Sequence, residues 1–339
     1  MKRIFILLVI GVLMGIGGAS AQSRNSYFME GSYFRNDMNP ALAPTRGYIA
    51  LPGMSGVGVN LSQNFLSIDN FLYKRDGELV TALHSAVSPD EFLGKLPSEG
   101  RLALDTKVNI FGAGFYAKRM YWTFGMNANV SADMAMSMDV FKALKTLGNG
   151  TYNLGNTAVE ANSFLDLYVG TSFRVHENVN IGIKAKFLMG IAMLNAEFSE
   201  LQANVTPESV NAAMSGTVRA SGILFDNTKV SDEFNITDML NMNVDYMLNH
   251  VENFGAAIDV GIEARFFDDH LRISAAVTDL GFIQWEPGRT NVCGKVNGKF
   301  LFNGMNLETQ EMNNETDFTI SMTEDPGNDP YITLLNCSL

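Results

Sequence analysis

The chain has 339 residues, 31 of them Gly and 23 Phe, only 18% charged residues and a formal net charge of -12. An acidic chain lacks the Lys/Arg clusters that nucleic-acid phosphates require, so no nucleic-acid partner is expected. Cys293 and Cys337 stand far apart and the four His are scattered, a pattern that fits neither a metal site nor a disulfide framework; no cofactor is expected.

Met1 to Ala21 reads as an export signal. Lys2 and Arg3 give a positive start, Ile4 to Met14 an apolar stretch, and Ala19-Ser20-Ala21 a small-residue cleavage site. The alternative, a retained anchor, is disfavoured because the stretch is short for a spanning helix. No Cys follows the cut, which argues against a lipoprotein. Losing Lys2 and Arg3 takes the charge from -12 to -14. Beyond Ala21 no run of about 18 apolar residues appears. A membrane location would therefore require a barrel, since only helices and closed barrels satisfy every backbone group in lipid. Residues 22–56 are polar and turn-rich around Asn39-Pro40-Ala41, and are expected to be an ordered loop or a plug-like segment.

Strands are expected at 57–68, 102–116, 121–133, 164–175 and 179–193. The clearest is the hairpin from Phe254 to Phe282. Phe254, Ala256, Ile258, Val260, Ile262, Ala264 and Phe266 alternate with Gly255, Ala257, Asp259, Gly261, Glu263 and Arg265, giving one oily and one wet face. Leu271 to Asp279 repeats the pattern. Each arm has about 12 residues, enough for a tilted strand to cross a bilayer and about twice the usual globular strand. An eighth strand is expected near Lys295 to Asn303. Short connectors (117–120, 176–178, 267–270) alternate with long ones (69–101, 134–163, 194–253), as in outer-membrane barrels with short periplasmic turns. The long connectors contain helical signals: Ser88-Pro89-Asp90-Glu91 as a capping box, Met136 to Leu147, a piece opened by Thr206-Pro207-Glu208 and closed near Gly216, and Met-rich Asp238 to Val251. These helices either pack on a rim or line a route for apolar ligands. Tyr116, Tyr121, Trp122, Phe173, Phe187, Phe266, Phe267, Phe282 and Trp285 cluster at strand ends as an aromatic girdle would, although any strand enriches aromatics.

No motif for catalysis is present, neither Gly-x-Ser-x-Gly nor a phosphate loop nor His-Glu-x-x-His, so the chain is not expected to be an enzyme. Lys107, Lys184, Lys186, Asp259, Glu263 and Arg265 are expected to face a lumen as an ion-pair ladder.

Ala275-Ala-Val277-Thr278-Asp279-Leu280-Gly281-Phe282-Ile283-Gln-Trp285 resembles the hairpin end of an uncharacterised Bacteroidota outer-membrane barrel family; Asp279, Gly281 and Trp285 carry the match. Val296 to Gly304 resembles the segment that follows it there. Asn39, Pro40 and Ala41 match an N-terminal tripeptide shared with fatty-acid-transporter-like barrels and the PorV-type components of type IX secretion. The resemblance implies a barrel of roughly 14 strands with an N-terminal segment inside or beneath it. Residues 305–339 depart from it as an acidic polar tail, without the aromatic-terminated final strand. This leads to the expectation of a truncated or frame-shifted end, the alternative being a small barrel closed by eight strands.

The expected fold is thus all-β, an antiparallel transmembrane β-barrel over residues 57–304 with helical pieces in long loops. The expected function is an outer-membrane channel or transporter for small hydrophobic molecules, with outer-membrane lipid around it. The alternatives are a structural or secretion-associated barrel that binds a protein partner through its long loops, and a soluble periplasmic β-sandwich that binds a ligand.

Overall fold

The computed structural model describes residues 27–51, 56–146, 150–206, 209–222, 253–267, 270–285, 291–306, 311–322 and 331–335. The expected signal peptide, the Asp238 to Val251 helix and Cys337 lie outside them. The chain is all-β. Its backbone is dominated by long antiparallel strands in one large sheet, which is not closed into a barrel among the described residues.

The sheet grows from β5 (Glu99–Ala117), β6 (Met120–Ser137), β8 (Thr157–His176) and β9 (Val179–Val205), each antiparallel to the last. The outer edge of β5 is paired in two places. The short β1 (Tyr48–Ala50) takes Gly112 to Gly114, and β2 (Val57–Gln63) takes Leu102 to Val108. A two-stranded flap, β3 (Leu72–Arg75) with β4 (Glu78–Thr81), and β7 (Gly150–Asn153) lie in the connectors.

Beyond β9 the sheet forks. β11 (Asn253–Phe266) pairs with Val179 to Gly190, whereas β10 (Val210–Gly222) pairs with Ala192 to Val205. One branch continues through β12 (Leu271–Trp285) to β15 (Tyr331–Leu334). The other continues through β13 (Asn291–Asn306) to β14 (Glu311–Met322). Among the described residues the main sheet contains 13 strands, against the eight expected from alternation, and closure of a small barrel by eight strands is not what is found.

The differences have local causes. Thr206-Pro207-Glu208 was expected to start a helix, but Thr206 Oγ1 accepts from Ser209 N at 2.9 Å and closes a turn between β9 and β10. The polar run 194–205 is simply more of β9. Val57–Ile68 shortens to β2, because Ser67 caps the helical turn α2 (Ile68–Phe71), which follows α1 (Arg35–Met38) in the N-terminal segment. The expected tail contains β14 and β15. Two helices fall where their signals lie. The Ser88 side chain accepts from Glu91 N at 3.2 Å at the start of α3 (Pro89–Leu93), and α4 (Asp139–Thr146) follows β6. No described helix is long and apolar enough to cross a membrane.

Side-chain burial in one part of the sheet is inverted. Along β8, the Val179–Gly190 part of β9, β11 and the start of β12, apolar side chains are open, and the polar side chains of β8, β9 and β11 are covered. Ile183 is 40% exposed, Val260 44% and Ile273 57%, while Lys184 is 2%, Lys186 4% and Asp259 0%. Two aromatics expected in the girdle point the other way. Tyr121 and Trp285 are fully buried, since each adjoins an outward aromatic (Trp122) or lies an odd step from one (Phe282).

Candidate functional site

The covered polar face is built by period-two alternation on strands whose neighbours are in register. Asn109 stands opposite Asn127, and Asn127 opposite Asp166. Their side chains join across three strands: Asn109 Nδ2 donates to Asn127 Oδ1 at 2.9 Å, and Asn127 Nδ2 donates to Asp166 Oδ1 at 2.9 Å. Asn129 Nδ2 adds a bond to Asp166 Oδ2 at 2.6 Å.

Next along β9, Lys186 Nζ lies 2.8 Å from Asp259 Oδ2 and 2.6 Å from Asp279 Oδ1. Strict alternation would send Asp279 outward with Leu271 and Ile273. A bulge opposite Asp259 prevents this: the β11–β12 register slips there, and Asp279 takes φ +60° while its N–H donates to Asp259 Oδ1 at 2.8 Å. The slip also explains why the outward residues of β12 are odd-numbered before it and even-numbered after it (Leu280, Phe282). Toward the short turns, Glu263 accepts from Asn180 Nδ2 at 2.8 Å and from Arg265 Nη2 at 3.0 Å. Lys107 is half-buried on the same face.

What covers this face is the segment 27–51. Lys184 Nζ donates to Asp37 Oδ1 at 2.9 Å and to the Asn36 carbonyl at 3.2 Å, and it lies 4.8 Å from the centre of the Tyr168 ring. Burial alone would raise the Asp37 carboxyl, but the charges of Lys184 and Lys107 and the Lys184 hydrogen bond outweigh it and bring it down to about 2. Asn39-Pro40-Ala41 rests on a row of small residues. Ser172 faces Gly182, and Gly182 faces Gly261. A Cβ on Gly182 would collide with the Pro40 backbone, and one on Gly261 with the Asn39 side-chain oxygen. The Ser172 hydroxyl donates to the Pro40 carbonyl, and Asn39 Oδ1 accepts from Ala41 N at 2.9 Å, fixing the turn. The tripeptide is thus held by backbone proximity that only missing side chains permit.

Above the ion pairs the same face turns apolar. Phe164, Leu188, Met193, Ala257, Ile283 and Trp285 form one buried cluster at the fork. Trp285 lies over Gly190, and its Nε1 donates to Thr333 Oγ1 at 2.9 Å. Gly281 sits against the backbone of Ala256 and Ala257.

All six charged residues singled out in the sequence fall on this face, together with Asn39, Pro40, Ala41 and Asp279. Asn127, Asp166, Tyr168, Arg35, Asn36 and Asp37 belong with them and were missed, as does Asn109, which alternation had already put on the polar side of its strand with Lys107. For Asn127 and Asp166 the signal was present, because each alternates with the apolar sets Phe124/Met126 and Leu165/Leu167. Chemically, Lys184 with Asp37, Lys186 with Asp259 and Asp279, and Arg265 with Glu263 are mutually engaged charges, suited to holding a segment in place. No group of three His, Cys, Asp or Glu that could hold a metal occurs among the described residues.

The model of a family of unknown function (DUF5723) matches residues 40–339. No curated protein and no solved structure matches the chain.

Proposed function

On the premise that the chain belongs to this family of unknown function (DUF5723), we propose that it is an exported outer-membrane β-barrel. Segment 27–51 closes its polar interior, and its task is passage of small hydrophobic molecules. The carrying observation is the inverted burial: Ile183, Val260 and Ile273 are open to the surroundings while Lys184, Lys186 and Asp259 are covered. Water would leave such a sheet with a large unpartnered apolar face, whereas acyl chains satisfy it. Length agrees. From Phe254 to Phe266 the strand runs about 40 Å at roughly 3.3 Å per residue. Tilted by about 40° it crosses roughly 30 Å, the thickness of the hydrocarbon core. The reading requires the free edges to find partners, since lipid does not tolerate unpaired strands.

Migration that changes on heating, and extraction that depends on detergent, are the expected results. Purification as a stable soluble monomer would overturn the proposal. Solute flux into proteoliposomes tests the passage itself, and deleting residues 27–51 should raise it.

A second reading, a barrel that serves as a partner-binding scaffold, is favoured by the filled interior, where Lys184 and Lys186 are both engaged. Absence of flux from both the full chain and the deletion would select it.

A further inference from the structure

Where the segment 27–51 meets the short turns, an open cavity of about 910 Å³ lies between Arg35, Tyr121, the turn residues Lys118 and Arg119, and Arg174. One of its walls is a buried donor that the protein leaves unused. Arg35 is 5% exposed, and its Nε has no hydrogen-bond partner among the described residues. Buried polar groups are almost always bonded, so an orphan guanidinium donor beside an open cavity calls for an acceptor that the cavity receives from outside.

Charge points the same way. The carboxylates beside Arg35 are already taken: Glu30 is bound by Arg272, and Glu263 by Arg265 and Asn180. Lys118, Arg119 and Arg174 are exposed around the opening and add positive charge, with no ion pair to a carboxylate among the described residues. A glutamate at 177 also lines the cavity and sits out in solvent.

The geometry points to a binding site for a small oxyanion, a carboxylate or a phosphate group, seated against the Arg35 guanidinium. A guanidinium offers paired N–H donors that match either head group. The three exposed cations draw the anion in. The site does not depend on the membrane reading, because every residue that builds it belongs to the described fold.

The test is calorimetric titration of the full chain with inorganic phosphate and, separately, with butyrate. It is made on whichever preparation, detergent-solubilised or aqueous, shows a folded β-sheet spectrum. Failure of detergent-dependent extraction thus speaks only to the membrane proposal. Binding of at least one probe is expected, weakening with salt. Arg35→Gln should reduce it about tenfold, roughly the weight of a charged hydrogen bond. The stronger probe identifies the head group. If Arg35→Gln does not fold, the double variant Lys118→Ala/Arg119→Ala, confined to exposed positions, should still lower affinity at least threefold. Absence of heat with both probes, or affinity unchanged in folded variants, would overturn the proposal.

Discussion

Strand β9 is one continuous strand passing through two chemically different halves. Between Val179 and Gly190 its exposed residues are Ile183, Ala185 and Phe187, all apolar, and Lys184 and Lys186 are hidden. Between Ala192 and Val205 the exposed residues are Glu197, Ser199, Glu200, Gln202 and Asn204, all polar. The backbone geometry is the same and the pairing is antiparallel in both halves. On the membrane proposal, the change from β11 to β10 as partner is the level at which acyl chains would give way to water.

The largest expected effect concerns what the lower half hides. Lys186→Met would leave Asp259 and Asp279 facing each other without a cation. Breaking a buried pair in this way costs about 3–5 kcal/mol, and loss of the heat-resistant folded band on electrophoresis should follow. Lys186→Met combined with Asp259→Asn should recover part of that loss.

The next prediction sets the two halves directly against each other. Ile183→Arg or Val260→Arg should destabilise by about 2–4 kcal/mol if those positions face acyl chains near the midplane. Ser199→Arg should stay within about 0.5 kcal/mol. Urea unfolding from lipid vesicles measures both. Equal, small effects at the two levels would erase the distinction.

Gly261→Ala should cost about 1–3 kcal/mol by crowding Asn39. Protease cleavage within residues 27–51 should accelerate while the strands stay protected.

The smallest effect is on pH. The Asp37 carboxyl is held at about 2 against an ordinary 3.8. Its contribution is therefore complete above the ordinary value and is lost only as pH falls through about 2. Cleavage of the segment should be constant from neutral pH down to about 4 and rise below it, and Asp37→Asn should flatten that dependence.

Much of this was legible in the chain. Alternation located β5, β6, β8, the first half of β9, and the β11–β12 hairpin, because one face of each differs in polarity from the other. It failed where both faces have similar polarity. The run from Asn195 to Val205 and the strand after Ser209 have no dyad contrast, so a Pro and a Glu beside Thr206 looked like a helix start. The bulge at Asp279 was hidden for a different reason. A register slip leaves no compositional trace, yet it decides which face a carboxylate joins. The pairing of Lys186 with Asp259 and Asp279 depends on that slip, and the seating of Asn39 depends on two glycines separated by 79 residues (261 minus 182). Neither is a local property.

The seat of Asn39-Pro40-Ala41 has a consequence for biogenesis. The segment leaves the ribosome first, but the surface that receives it joins Ser172, Gly182 and Gly261, the last more than 220 residues downstream of Asn39. It can dock only after β8, β9 and β11 have zipped together, so synthesis order and assembly order are reversed. Until then the leading segment has no seat on the sheet and stays within reach of any factor that escorts nascent chains.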